Sequence, residues 1–273
     1  DIAKKKNIMH QFSNQSIAIV LEKASNQLQN KLPFVVYNKP NSDKLIGIFQ
    51  KNTILHLVKE YQEKGFVFAP FIGNKIVIIP ESESEILLAD FNVVTAQESS
   101  FSKSEIENSS SKESYKKVIQ KAIDTIESGS LTKVVLSRKE IHKLTDFDLV
   151  VVLQRLLNSY PSAFSYCFYH PNVGLWLGAF SEQLLKMEGA SFYTSAVAGT
   201  QVFEEKRSVI WQSKEKQEQE FVSDFIFDKI KEIASQIKIS APYTLKAGNL
   251  LHIKTDIQGI LNSDANLKQI VEI

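Results

Sequence analysis

Lys133 opens an otherwise apolar run, Lys133-Val134-Val135-Leu136-Ser137. In a strand, period-2 alternation places Lys133 on one face with Val135 and Ser137. An ammonium held partly out of water loses hydration, so its pKa falls and it can serve as a base near neutrality. A lysine at a strand's rim can equally keep its head in water. Glu182 follows Trp176-Leu177-Gly178-Ala179-Phe180-Ser181. A carboxyl group at the end of so apolar a run is a candidate acid, or a local cap beside Ser181. The run Thr194-Ser195-Ala196-Val197-Ala198-Gly199-Thr200 is built almost entirely of small residues. It lets a ligand reach the backbone and offers hydroxyl and N–H donors to a carboxylate, or else it packs as a tight central strand. Glu218, Val222 and Phe225 recur at helical spacing, with Glu215 on the same side and Glu220 and Asp224 pointing away. Carboxylates on an inward stripe are costly without a compensating cation, and their oxygens are the ligands Mg²⁺ prefers. A solvated end of the stripe is the alternative. His252, in Leu250-Leu251-His252-Ile253-Lys254-Thr255-Asp256-Ile257-Gln258-Gly259, is a structural histidine or a ligand-binding one.

These side chains need elements to hold them. Spaced apolar residues predict helices at about 15–31, 114–128 and 146–158, and a long one at about 205–236. Gly129 supplies a stop for the second. Short β-like runs fall at 34–37, 45–49, 66–71, 75–80, 133–137, 163–169, 174–179, 191–200, 243–247 and 250–258. Gly73-Asn74 and the stretch His170–Gly174 read as hairpin turns. Hairpins outnumber strand–helix–strand units, which favours an α+β fold of antiparallel sheets forming a core with helices on the outside. The expected division is a β-rich part over 1–97, a serine-rich mobile connection over 98–113 and a catalytic core over 114–273.

The 273 residues are 43% hydrophobic and 23% charged, the profile of a globular protein with a sizeable core. With 32 basic and 31 acidic residues the net charge is +1, which argues against a nucleic-acid binder held by bulk charge. Lys4-Lys5-Lys6 reads as a solvated tail. The single cysteine, Cys167, excludes an intramolecular disulfide and reads as a small buried hydrophobe. No apolar run reaches the roughly 18 residues a membrane span needs. A cytoplasmic setting, no membrane or nucleic-acid partner, and a monomer or weak homodimer are the expectations. Gly-rich phosphate loops, GxSxG and Cys/His metal spacings are absent.

Taken in order, KVVLSR at 133–138, YPSAF at 160–164, WLGAFSEQLL at 176–185, AGT at 198–200, KEKQEQEFV at 214–222 and HIKTDIQG at 252–259 resemble the chorismate-binding enzymes. The resemblance covers 113–261 and, more loosely, GFVFAPF at 65–71. It implies Mg²⁺ as cofactor and chorismate as substrate. Lys133 matches the water-adding members, where anthranilate synthases carry glutamine. Ala198 stands where aminodeoxychorismate synthases carry a nucleophilic lysine. The chain is therefore most similar to isochorismate synthases, with salicylate synthase, or a non-catalytic ligand-binding fragment of the same fold, as alternatives. The resemblance implies Lys133 as base, Glu182 as acid, Glu218 as metal ligand and Glu215 as a ligand through water. It also implies Ala198, Gly199, Thr200 and His252 beside substrate carboxylates. Gln219, Gln201 and Phe180-Ser181 depart from the pattern, which has histidine, arginine and smaller residues there. The family would continue past Ile273 with an HPTPAVCG-like segment, an arginine and a second metal-binding glutamate, so a further C-terminal part is expected.

Overall fold

The computed structural model describes residues 13–91, 109–144, 146–206 and 208–272. The lysine cluster at 4–6 and residues 98–108 of the expected serine-rich connection lie outside them. The chain divides into two compact units, one made of Asp1–Ala96 with Asp148–Ile273, the other of Gln97–Phe147.

The first unit holds β1 (Ser13–Gln15), α1 (Ile17–Gln29), β2 (Phe34–Asn38), β3 (Lys44–Gln50), β4 (His56–Leu57), β5 (Gly65–Phe68), β6 (Val77–Pro80) and β7 (Ser84–Asp90). After the second unit's α2 (Ser109–Glu127), it resumes with α3 (Leu149–Ser159), β8 (Phe164–His170), β9 (Gly174–Phe180), β10 (Lys186–Glu188) and β11 (Ser191–Val202). It ends with α4 (Ser213–Ile230), β12 (Ala234–Ile239), β13 (Tyr243–Ala247), β14 (Leu250–Leu261) and α5 (Leu267–Glu272). The strands form a six-stranded sheet in the order β1-β7-β3-β2-β8-β9, a five-stranded sheet around β11 and β14, and a small sheet β4-β6-β5. All pairings are antiparallel except β1 with β7. The expected α+β architecture of antiparallel sheets is therefore the one observed. β2 pairs with β8, so β1, β2, β3 and β7 share one sheet with β8 and β9 from after residue 163.

The large sheet is covered on both faces. Phe34, Val36, Phe49 and Cys167 pack with Val20, Leu21, Leu153 and Leu157 from α1 and α3. Val35, Ile48 and Phe168 point the other way and pack with Val77 and Ile79 of the small sheet. Burial on both sides explains why Phe34–Val36 reads as a continuous apolar run. α1 starts where the Ser16 hydroxyl accepts from the Ile19 N–H, and α3 where Asp148 accepts from the Val151 N–H. The five-stranded sheet has its own core, with Phe192, Ile257 and Leu261 under Ile230 of α4 and Ile270 of α5.

Two expectations about elements fail. The expected long helix over 205–236 is confined to Ser213–Ile230, and the residues following it form β12. Ala234-Ser235-Gln236-Ile237-Lys238-Ile239 carries the period-2 signal of a strand, and the far half of β14 offers it an edge. In the second unit, α2 ends at Glu127 and Gly129 follows it with a φ of +75°, which suits a helix stop. The expected strand at 133–137 does not form there. A strand needs a neighbour for its N–H and C=O groups. Among the described residues this segment has no ladder, and Val135 is 83% exposed. No helix among the described residues is long and apolar enough to cross a membrane.

His170 closes β8 with no exposed surface. Its Nδ1 accepts from the Asn172 N–H at 3.1 Å, and its Nε2 faces the Ile54 carbonyl at 3.5 Å. Burial lowers its pKa below the ordinary histidine value; the Ile54 carbonyl opposes this and the charge of His56 reinforces it. The unfolded chain therefore takes up a proton that the folded chain resists. The stabilisation is complete above about pH 6.5 and is lost as pH falls through the depressed folded value. Urea denaturation at pH 7.5 and pH 5 should show stability falling on acidification. His170→Asn, which keeps an acceptor near the Asn172 N–H but cannot titrate, should reduce that slope.

Candidate active site

The five-stranded sheet presents two contrasting faces. On β11, Phe192, Thr194, Ala196 and Ala198 are buried, and on β14 so are Leu251, Ile253, Thr255 and Ile257. α4 lies over this side, where the small side chains of β11 let it approach closely. The ladder breaks once: Ala198 pairs with Ile253 and Thr200 with His252, leaving Gly199 as the extra residue of a bulge. Gly199 has φ +72°, and a Cβ there would lie 3.2 Å from the Glu215 Cβ. A bare backbone position thus lets the first turn of α4 sit against the strand.

His252 Nδ1 lies 3.1 Å from the Gly199 carbonyl oxygen and 3.3 Å from the Thr200 hydroxyl. A carbonyl only accepts, so Nδ1 carries the proton and Nε2 holds a lone pair while the ring is neutral. Glu215 is the third residue of α4, and one of its oxygens accepts from the Gln212 N–H at 3.0 Å as half of a capping box. Thr200 and His252 therefore meet at Gly199 on one face of the sheet, and Glu215 reaches the same glycine from the helix side. Ala198 sits beside them, facing the helix.

Glu182 is exposed in the irregular segment after β9 and lines a cleft of about 560 Å³. That segment is held at both ends. Phe180 stacks on Phe164 with centroids 5.0 Å apart. The Thr194 hydroxyl donates to the Leu184 carbonyl at 2.6 Å. Across the cleft stand Val222 and Phe225 of α4. Glu218, one turn before Val222, lies on the same flank and is half-buried. The expectation that Glu218, Val222 and Phe225 face the core needs correcting. Phe225 is 61% exposed, and the residues that reach the sheet are Gln219 and Ile230. The stripe faces the cleft, because the inward direction is centred one residue later.

Lys133 belongs to the second unit, where it is half-buried in the irregular stretch after α2. Lys254, given no role in the sequence reading, shares the His252 face of β14. Its ammonium donates to the Tyr193 hydroxyl at 2.9 Å and pairs with Asp256 at 3.0 Å, and Asp256 also accepts from Tyr193 and Tyr243. Burial pulls the Lys254 pKa down, but these partners outweigh it and hold the ammonium above the ordinary lysine range. Lys254 is a fixed positive charge and not a base. Period-2 alternation through HIKTDIQG already places Lys254 and Asp256 beside His252, so the signal was there to read. Among the described residues no three His, Cys, Asp or Glu side chains gather as a metal cage. Glu215 and Glu218 supply two hard oxygen donors three residues apart on one helix. That suits an ion such as Mg²⁺, which retains waters and takes one or two carboxylates.

Antiparallel sheets with outer helices, beside a largely apolar cleft that carries the Glu182 carboxylate, define an α+β fold with room for a small molecule. The family model for chorismate binding enzymes matches residues 74–273, and the chain belongs to that family. It is 26% identical over 163 residues to the isochorismate synthase EntC of Escherichia coli K12. That match takes in 56% of this chain and 41% of EntC, so the chain spans well under two thirds of this curated relative. Among solved structures it resembles DhbC of Bacillus anthracis, assigned as a 2,3-dihydroxybenzoate-specific isochorismate synthase. The TM-score is 0.63 at 14% identity, over 93% of this chain and 74% of that one. It also resembles the menaquinone-specific isochorismate synthase MenF of E. coli, with TM-score 0.55 at 11% identity, over 88% and 67%. At these identities the structural likeness carries the fold alone.

Gly199→Ala tests the bulge. An L residue held at this φ costs about 1–2 kcal/mol, and its methyl group must also displace Glu215. Chemical denaturation should show a loss of at least that size, whereas Gly248→Ala, at a similar φ of +61° with no atom within 4 Å of the added Cβ, should show only the conformational cost.

Proposed function

We propose that the protein is a Mg²⁺-dependent isochorismate synthase. It would add water at C2 of chorismate and release the C4 hydroxyl, an isomerisation by hydroxyl transfer. The observation that carries this reading is the cleft whose one wall holds Glu182 and whose other wall is the Val222–Phe225 flank of α4, with Glu218 a turn away. Family membership and the EntC match support chorismate as the substrate.

In this reading Lys133, as the neutral amine, takes a proton from the attacking water. Glu182, protonated, gives its proton to the departing C4 hydroxyl, which leaves as water. Its exposed position lets Glu182 exchange its proton with solvent between turnovers. Glu218, with Glu215 through water, would hold Mg²⁺, whose role when bound is to neutralise and orient a substrate carboxylate. The backbone around Ala198 and Gly199 and the Thr200 hydroxyl offer donors to a carboxylate. His252, through Nε2, accepts a hydrogen bond while neutral and donates one when protonated. Ala198 carries no nucleophile, so no covalent adduct forms at that position. The relatives serve 2,3-dihydroxybenzoate and menaquinone routes by their names, and either use of isochorismate fits a reaction in the cytoplasm.

The test is to incubate the full-length protein with chorismate and Mg²⁺ and to separate products by mass and fluorescence. Isochorismate is the expected product, and salicylate or unchanged chorismate would overturn the reading. Lys133→Ala should lower kcat by about 10²–10⁴-fold with chorismate binding retained. Glu182→Gln should lower kcat similarly, again with chorismate binding retained. Wild-type turnover by either variant would remove that residue from the mechanism.

A further inference from the structure

α4 has little apolar surface with which to orient itself. In its first half the only buried side chain is Gln219, at 4% exposure; the next is Ile230, at the far end. The Gln219 amide donates two hydrogen bonds, at 2.7 Å to the Thr255 hydroxyl on β14 and at 2.8 Å to the Ser223 hydroxyl one turn on. Thr255 is itself 3% exposed.

Apolar contact is non-directional, so a helix resting on it can roll. A hydrogen bond weakens steeply as its angle departs from linear, so the buried amide resists rotation. Successive residues on a helix are separated by about 100°. With Gln219 pointing at β14, Glu218 emerges on the cleft flank with Val222 and Phe225. Lys216 and Glu220 emerge on the opposite flank, where they line a separate depression beside Trp211 and Tyr243. A small roll in either direction would carry the Glu218 carboxylate into the sheet or away from the cleft.

We infer that Gln219 is a positioning residue, whose hydrogen bond to Thr255 fixes the angle at which α4 presents Glu218 to the cleft. This rests on the reading of Glu218 as a magnesium ligand. The amide engages both hydroxyls through the two donors of one planar group.

The experiment is calorimetric titration of Mg²⁺ into the full-length protein, with thermal melts in chelator run alongside. Gln219→Met keeps the side-chain length and removes both donors. It should weaken Mg²⁺ binding at least tenfold, the scale seen when partners of a metal ligand are lost. Thr255→Val should do the same, and the double variant should be no weaker than Gln219→Met, because every variant loses the same Gln219–Thr255 bond. Thr255→Ser and Gln219→His, which keep a hydroxyl and a donor, should retain most of the affinity, as should Glu220→Gln on the opposite flank. A Gln219→Met protein with a lowered melting temperature but wild-type Mg²⁺ affinity has only a structural glutamine, and the inference falls. Additive losses in the double variant overturn it too. If Gln219→Met does not fold, Thr255→Val against Thr255→Ser decides. Glu218→Gln separates the two levels: unchanged Mg²⁺ binding there removes the ligand reading itself, whereas lost binding there with intact binding in Gln219→Met removes only the positioning role.

Discussion

The ladder between β11 and β14 is the constraint on which the site depends. Eleven register pairs join the strands, and a single extra residue at Gly199 shifts the phase. Up to Ala198 every second residue of β11 faces α4. Without the bulge Thr200 would face the helix as Ala198 does. With it, Thr200 stands beside His252 on the opposite side. The same glycine leaves room for Glu215. One backbone irregularity thus separates a packing surface from a polar one and joins the start of α4 to the strand.

The two large sheets solve different problems. The six-stranded sheet is apolar on both sides and serves as scaffold, ending in aromatic stacking that runs from Tyr37 through Phe164 to Phe180. Phe180 passes that rigidity to the segment bearing Glu182. The five-stranded sheet holds polar groups on both faces, each tied to partners. Gln219 and Thr255 lie under the helix, and Lys254, Asp256, Tyr193 and Tyr243 lie on the far side. Hydrogen bonds fix directions that apolar burial alone would leave loose.

Much of the fold was legible in the sequence, because periodicity and turn chemistry are local. The hairpins β8–β9 and β13–β14, α1, α2 and α3 fall where alternation or helical spacing put them. The failures are non-local. Ala234-Ser235-Gln236 was absorbed into a helix because its strand character depends on the edge of β14, which lies far along the chain. Lys133–Ser137 has a strand's composition but no ladder among the described residues. At the candidate site, motif order singled out Glu182, Glu218, Gly199, Thr200 and His252. The direction of α4 was misjudged by one residue, because the stripe rule assumes that inward side chains are apolar and here the inward one is Gln219. Lys254 was passed over because its neighbours across strands, Tyr193 and Tyr243, are invisible in a linear reading.

β14 is longer than either partner on its outer edge. β13 pairs with Leu250–Lys254 and β12 with residues from Ile257 onward. Asp256 lies at the junction, and Ser240, in the corner between the two short strands, closes the gap. Its N–H donates to the Asp256 carbonyl at 3.0 Å, and its hydroxyl accepts from the Asp256 N–H at 2.9 Å. A seam with unsatisfied main-chain groups would be a template for a foreign strand. One serine in a tight corner therefore leaves no unpaired main-chain group at Asp256 for another chain to use.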